Sequence, residues 1–177
     1  TVISSGEPMV FDLVRPLGAR RGEFEINTLA IQPIGRVPES TVPTALGLLC
    51  STFEWAPEIE YAVRDGLAIE FELPFETTTL GAYKSAAQWT IGTAFEERFI
   101  HGVQAIMQYD RHPESWLPTL LYLAGWRFDQ TWSMLVMAGV RGDTGAPEHS
   151  KRVQRLLNVS LFADVAENLT LGVETNL

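Results

Sequence analysis

Three histidines, one cysteine and a series of regularly spaced carboxylates are the side chains of this 177-residue sequence with chemistry to offer. His112 stands three residues before Ser115, and His149 directly precedes Ser150. A His–Ser pair can serve a surface hydrolase, the imidazole taking the hydroxyl proton, but neither pair has a third group to orient the ring. Asp110, His112 and Glu114 lack the regular spacing of a metal site, and His101 falls inside an expected strand. There is no GxSxG, HExxH, P-loop, CxxC or helix-opening GxGxxG. The expectation is a protein with no catalytic residues, no metal and no cofactor. Cys50, the lone cysteine, excludes an internal disulfide. Leu49 precedes it where a lipidation signal has a small residue, so it reads as a buried or lipid-facing thiol.

The charged residues are more informative. Glu58, Glu60, Glu70 and Glu72 are expected to share one face of a sheet with Lys84, Gln88, Arg127, Asp129 and Arg141. One reading is structural: cross-strand ion pairs filling a narrow interior, where inward charges must be compensated. The other is a selective lining for a small polar or aromatic solute. A barrel of about 8 strands is nearly filled by its own side chains, which favours the structural reading.

What must position these groups is a series of strands, seen most clearly from Glu58 to Glu76. Ile59, Tyr61 and Val63 alternate with Glu58, Glu60 and Arg64. Arg64-Asp65-Gly66 supplies a tight turn, after which Leu67, Ile69, Phe71, Leu73 and Phe75 alternate with Ala68, Glu70 and Glu72. Asp-Gly between two alternating runs marks a β-hairpin. Later segments repeat the pattern: Ala82–Thr93, Phe99–Tyr109, Leu117–Phe128, Trp132–Arg141, Leu157–Val165 and Leu169–Glu174. Leu121, Leu123, Leu135 and Met137 blur the polar face of two of them, and Pro118 is expected to interrupt the third. Before the hairpin, Glu23–Gln32 reads as a strand and Gly35–Pro43 as a loop. Ala45–Arg64 is long for one strand, with Pro57 marking a bulge, a bend or a new start.

Residues 1–21 read as an irregular, plug-like or periplasmic segment with a short strand over Met9–Val14, and residues 22–177 as one β-barrel domain. Connections near Asp65, Glu96, Gln130 and Glu167 are short. Those near Val37, Thr78, Pro113 and Thr144 are mostly longer or more polar, with Asp110–Ser115 expected to be a loop. Aromatic residues gather near strand ends: Phe75, Phe95, Phe99, Tyr109, Trp116, Phe128 and Trp132. Outer-membrane barrels have short periplasmic turns, longer outer loops and aromatic girdles at both interfaces.

Composition agrees. A net charge of −9 and a pI near 4.8 argue against nucleic acid as a partner. A mean hydropathy of +0.04 is too low for a helical membrane protein but not for a barrel, where only alternate residues meet lipid. No apolar run is long enough for a membrane-spanning helix. The sequons at Asn158-Val159-Ser160 and Asn168-Leu169-Thr170 are chance matches in a bacterial barrel.

Taken together, the pattern resembles a bacterial outer-membrane β-barrel. The EYAVRDGLAIEFELP core of the hairpin is similar to a segment of the phenol meta-pathway (MetA-type) outer-membrane transporter family. The resemblance is close over Glu58–Glu76 and loose over Gly22–Leu177. It implies an all-β, antiparallel, up-and-down transmembrane barrel of about 8–10 strands in the outer membrane of a Gram-negative bacterium. The implied role is passive transport or a channel for small, hydrophobic or aromatic solutes. Expected partners are the bilayer with its lipopolysaccharide, a small-molecule solute, and envelope proteins or further copies of the chain. Two alternatives stand: a scaffold barrel within a larger envelope complex, and a soluble lipocalin-like binding barrel, which needs its apolar face inside. The alternating pattern alone does not say which face is inside.

Overall fold

The computed structural model describes residues 13–31, 53–112, 114–145, 153–166 and 169–176. They form eleven strands: β1 (Phe24–Ile31), β2 (Glu54–Arg64), β3 (Leu67–Glu72), β4 (Phe75–Glu76), β5 (Thr79–Leu80), β6 (Ala82–Ala94), β7 (Phe99–Arg111), β8 (Glu114–Arg127), β9 (Trp132–Arg141), β10 (Gln154–Ala166) and β11 (Leu169–Asn176). There is no helix among them. All pairings are antiparallel, within one sheet curled like half a barrel. Each long strand lies beside its neighbour in sequence, the order of an up-and-down meander. β11 ends the sheet on one side and β1, paired with β2, lies towards the other.

Several expected elements need correction. Leu73-Pro74 splits one strand into β3 and β4, because proline has no N–H to give the ladder. Gly81 separates β5 from β6, its N–H donating to the Pro74 carbonyl. Pro57 and Pro118, by contrast, lie inside unbroken strands. Pro118 stands just beyond the Thr119–Arg141 pair that ends the β8–β9 ladder, so it costs no pairing with β9. The expected loop Asp110–Ser115 is mostly strand. Asp110 pairs with Ser115 and Arg111 with Glu114, and His112 stands in the turn between them. Leu13 and Val14 are not in a strand, and the rest of Met9–Val14 lies outside the described residues. So do the Gly35–Pro43 loop, Cys50, His149, Ser150 and Asn168.

The two faces of the sheet are chemically opposite, and their sense is inverted relative to a water-soluble sandwich. In β2 the even residues Ala56, Glu58, Glu60 and Ala62 are buried, while Ile59 and Tyr61 are exposed. In β8, Leu120 is 55% exposed and its neighbour Leu121 1%. From β1 to β9 one convex row runs Phe24, Tyr61, Ile69, Ala87, Ala105, Leu120, Val140 without a charge, and it ends on Arg155 in β10. The core lies on the concave side. There Leu13, Leu17, Ile100, Leu121, Leu123, Leu135, Met137 and Phe162 form an apolar cluster. The four residues that blur the polar face in the sequence are therefore the wall of an internal core.

Candidate functional site

The concave side of β1 to β6 is an acidic belt, fixed by strand register. One row reads Asn27, Glu58, Glu72, Lys84, Gln108. The next reads Glu25, Glu60, Glu70, Ala86, Ile106. Alternation puts every second side chain inward, so the Glu-x-Glu pairs of β2 and β3 meet one another. Glu60 is 1% exposed and Glu70 4%. Such burial demands counter-charge. Lys84 supplies it on one side, with its ammonium 3.1 Å from Glu70 and bonded also to Glu72. Arg15 supplies it on the other, reaching Glu23 at 3.3 Å, Glu60 at 3.4 Å and Glu25.

Glu58, Glu60, Glu70, Glu72, Lys84 and Gln88 are thus brought onto one wall. The other residues singled out in the sequence are not. Arg141 lies on the row of Glu70 but four strands away, bonded to the Thr119 hydroxyl at 3.2 Å. Arg127 pairs with Asp164 at 3.1 Å near the end of β8. Asp129 is exposed in the β8–β9 turn. Its carboxylate accepts the N–H groups of Trp132 and Thr131, which hold it below the ordinary aspartate range. Ser115 points inward from β8 while His112 is exposed in the preceding turn.

Oxygens of Glu58, Glu70 and Glu72 lie within 4.8 Å of one another, close enough to converge on a cation. The Lys84 ammonium already sits against two of the three. Counting Glu23 and Glu25, the described part of the belt carries six carboxylates, five of them paired to Arg15 or Lys84.

Above the belt a cavity of about 400 Å³ opens at the His112 end of the sheet. Glu54, Glu72, Glu76 and Asp110 line it together with Gln108 and His112, and no Lys or Arg among the described residues does. Below the belt, the segment Leu13–Gly22 crosses the concave side. Its Leu13, Val14, Leu17 and Ala19 are at most 4% exposed. Sequence reasoning took this segment as irregular and missed Arg15. The available signals were the apolar Leu13-Val14 and Leu17 around a single Arg15, and the small inward residues Ala62, Ala68 and Ala86 that receive Val14 and Ala19.

Aromatic side chains cluster at the two ends of the strands. Phe95, Phe99 and Trp126 pack together at the β6–β7 turn, with centroids 5.2 to 6.4 Å apart. Phe128 and Trp132 flank the neighbouring turn around Asp129. At the opposite end Tyr109 and Trp116 are 4.9 Å apart, and Phe75 stacks on Trp55 at 4.5 Å. Tyr122 and His101 form a 3.0 Å hydrogen bond one step in from the first cluster.

No family model matches the chain, and neither a curated protein nor a solved structure is found to be similar to it.

Proposed function

We propose that this chain is a membrane β-barrel of the outer-membrane kind, residing in the outer membrane of a Gram-negative bacterium. Its interior serves the passive passage of small solutes. The observation that carries the reading is the inverted sheet: carboxylates buried on the concave side, and a wide uncharged apolar surface exposed on the convex side. A water-soluble protein rarely exposes a contiguous apolar patch of more than a few hundred Å², whereas lipid requires one. The same inversion argues against a lipocalin-like binder, which needs its apolar face inside.

The aromatic clusters support the reading by their spacing. Phe99 and Tyr109 are ten residues apart on β7. At a rise of about 3.4 Å per residue and a tilt of about 40°, that is roughly 26 Å along the membrane normal, against an apolar band of about 25 Å. The rings then sit at the two headgroup levels. The carboxylates of Glu54, Glu72, Glu76 and Asp110 that line the cavity favour neutral and cationic solutes over anions. Neutral aromatic solutes, the class implied by the resemblance, fall within that range.

A scaffold role in an envelope assembly is the second reading, favoured by the filled lower interior. The separating experiment is recording from purified protein in planar bilayers, after a heat-modifiability gel has established a folded barrel in the envelope fraction. Cation-preferring conductance supports passage. A heat-modifiable, inserted protein that conducts under no condition supports the scaffold. Protein that stays in the aqueous fraction with no mobility shift overturns the membrane reading itself.

A further inference from the structure

The strap Leu13–Gly22 is joined to the sheet by few backbone bonds, yet it touches both inner walls. Leu13 and Leu17 pack with Ile100, Leu121, Leu123, Leu135 and Met137. Val14 and Ala19 pack with Ala62, Ala68 and Ala86 on the other side. The strap is anchored low: Gly22 N–H donates to the Ala62 carbonyl at 2.8 Å, Arg21 N–H to Asp65 at 2.8 Å, and Gly66 N–H to the Ala19 carbonyl at 2.8 Å. It then runs up past Thr90, whose hydroxyl accepts the Gly18 N–H at 2.9 Å. The wall is shaped to it. A Cβ at Gly102 would come within 3.0 Å of the Leu17 side chain and 2.5 Å of the Trp89 carbonyl.

Arg15 is the only charged side chain between Leu13 and Ala19. Glu23, Glu25 and Glu60 converge on it, and Gln88 donates its Nε2–H to the Arg15 carbonyl. The wall behind the strap on this side is Ala62, Ala68, Ala86, Gln88 and Gln104, small or polar groups that water can replace the strap against. Among the described residues the interior is therefore open at the cavity end, charged at the belt, and closed beneath it by a short segment that packs on Leu121, Leu123, Leu135 and Met137 and carries one ionic latch.

We infer that Leu13–Gly22 is a displaceable plug, latched by Arg15 in its carboxylate cage, whose withdrawal opens the path through the interior. This rests on the reading of the chain as a membrane pore. Breaking a buried ion pair by removing one partner is strongly unfavourable, so reversing the Arg15 charge drives the strap out while the sheet pairing is untouched.

The test uses the full chain with Cys50→Ser, and Leu17→Cys as reporter. A membrane-impermeant maleimide measures access to position 17 in detergent, and planar bilayers measure conductance. With Arg15 present, labelling is slow and conductance small. Arg15→Glu speeds labelling by about tenfold or more and adds stable conductance steps, while Arg15→Lys keeps labelling slow. Retained heat-modifiability shows that each variant is folded; if Arg15→Glu is not, Arg15→Gln takes its place with the same expectation. Slow labelling in a folded charge-removed variant overturns the latch. Fast labelling with no added conductance in inserted protein overturns the gate. If no variant inserts into membranes, the pore reading fails, and labelling alone still decides whether Arg15 holds the strap.

Discussion

Replacing Lys84 with methionine removes the one cation that faces Glu70 and Glu72 from β6 while leaving a side chain of similar length. At an effective dielectric of about 20, charges 3.1 Å apart attract by roughly 5 kcal/mol. At the same dielectric, two carboxylates 4.8 Å apart repel by roughly 3.5 kcal/mol. Both figures are gross, since they omit the desolvation that Lys84 itself bears. The net loss expected for breaking a buried pair is about 3–5 kcal/mol. Lys84→Met should therefore lower the unfolding free energy by that amount at neutral pH, read from urea titration of the folded protein in micelles by tryptophan fluorescence. Adding Glu70→Gln and Glu72→Gln should restore most of it, because the charges left stranded are then gone. A loss below about 1 kcal/mol, or no recovery in the triple variant, would refute the belt as a compensated buried network.

Three further outcomes follow from other parts of the sheet. Ala105→Arg, at the middle of the convex face, should cost about 2–4 kcal/mol in lipid, whereas Trp132→Arg at the rim should cost about 0–1 kcal/mol; equilibrium unfolding from liposomes gives both numbers. In the β6–β7 turn Glu96 and Glu97 hold φ near 56° and 65°, the left-handed region. Exchanging them for Asn-Gly, which that turn geometry prefers, should stabilise the fold by about 1 kcal/mol in the same assay. The Asp129 carboxylate is held below its ordinary value by the N–H groups of Trp132 and Thr131. Its contribution is complete above the unfolded pKa, about 3.9, and is lost as pH falls through the lower folded value. The stability gap between the parent and Asp129→Asn should therefore narrow on acidification below that point, and a gap independent of pH would count against the turn bonds.

The sheet was legible in the sequence because apolar–polar alternation is a local pattern, written residue by residue in the hairpin from Glu58 to Glu76. That Glu58, Glu60, Glu70, Glu72, Lys84 and Gln88 share one face followed from it; that this face is the concave one did not, since alternation alone leaves the choice open. Strand ends were less legible. Asp110–Ser115 has loop composition, but its ladder is sustained by pairing with residues across the turn, and Pro118 is harmless only because β9 ends beside it. The strap was hidden for a different reason. Leu13 to Gly22 has no period, since its contacts are set by the walls it crosses. The trace it left was indirect, in Leu121, Leu123, Leu135 and Met137, which look like errors of alternation until something apolar covers them. Arg127, Asp129 and Arg141 fall on the same alternation as the belt residues, but at or beyond strand ends, where register carries them to other partners.

The most direct measurement of the central claim is nitroxide accessibility along residues 119–124 of β8 in liposomes, one label at a time in a Cys50→Ser background. Labels at 120, 122 and 124 should collide with dissolved oxygen and be shielded from a water-soluble nickel chelate. Labels at 119, 121 and 123 should be shielded from both. Chelate access at 120 and 122, or protein that never leaves the aqueous phase, would contradict a lipid-facing convex surface.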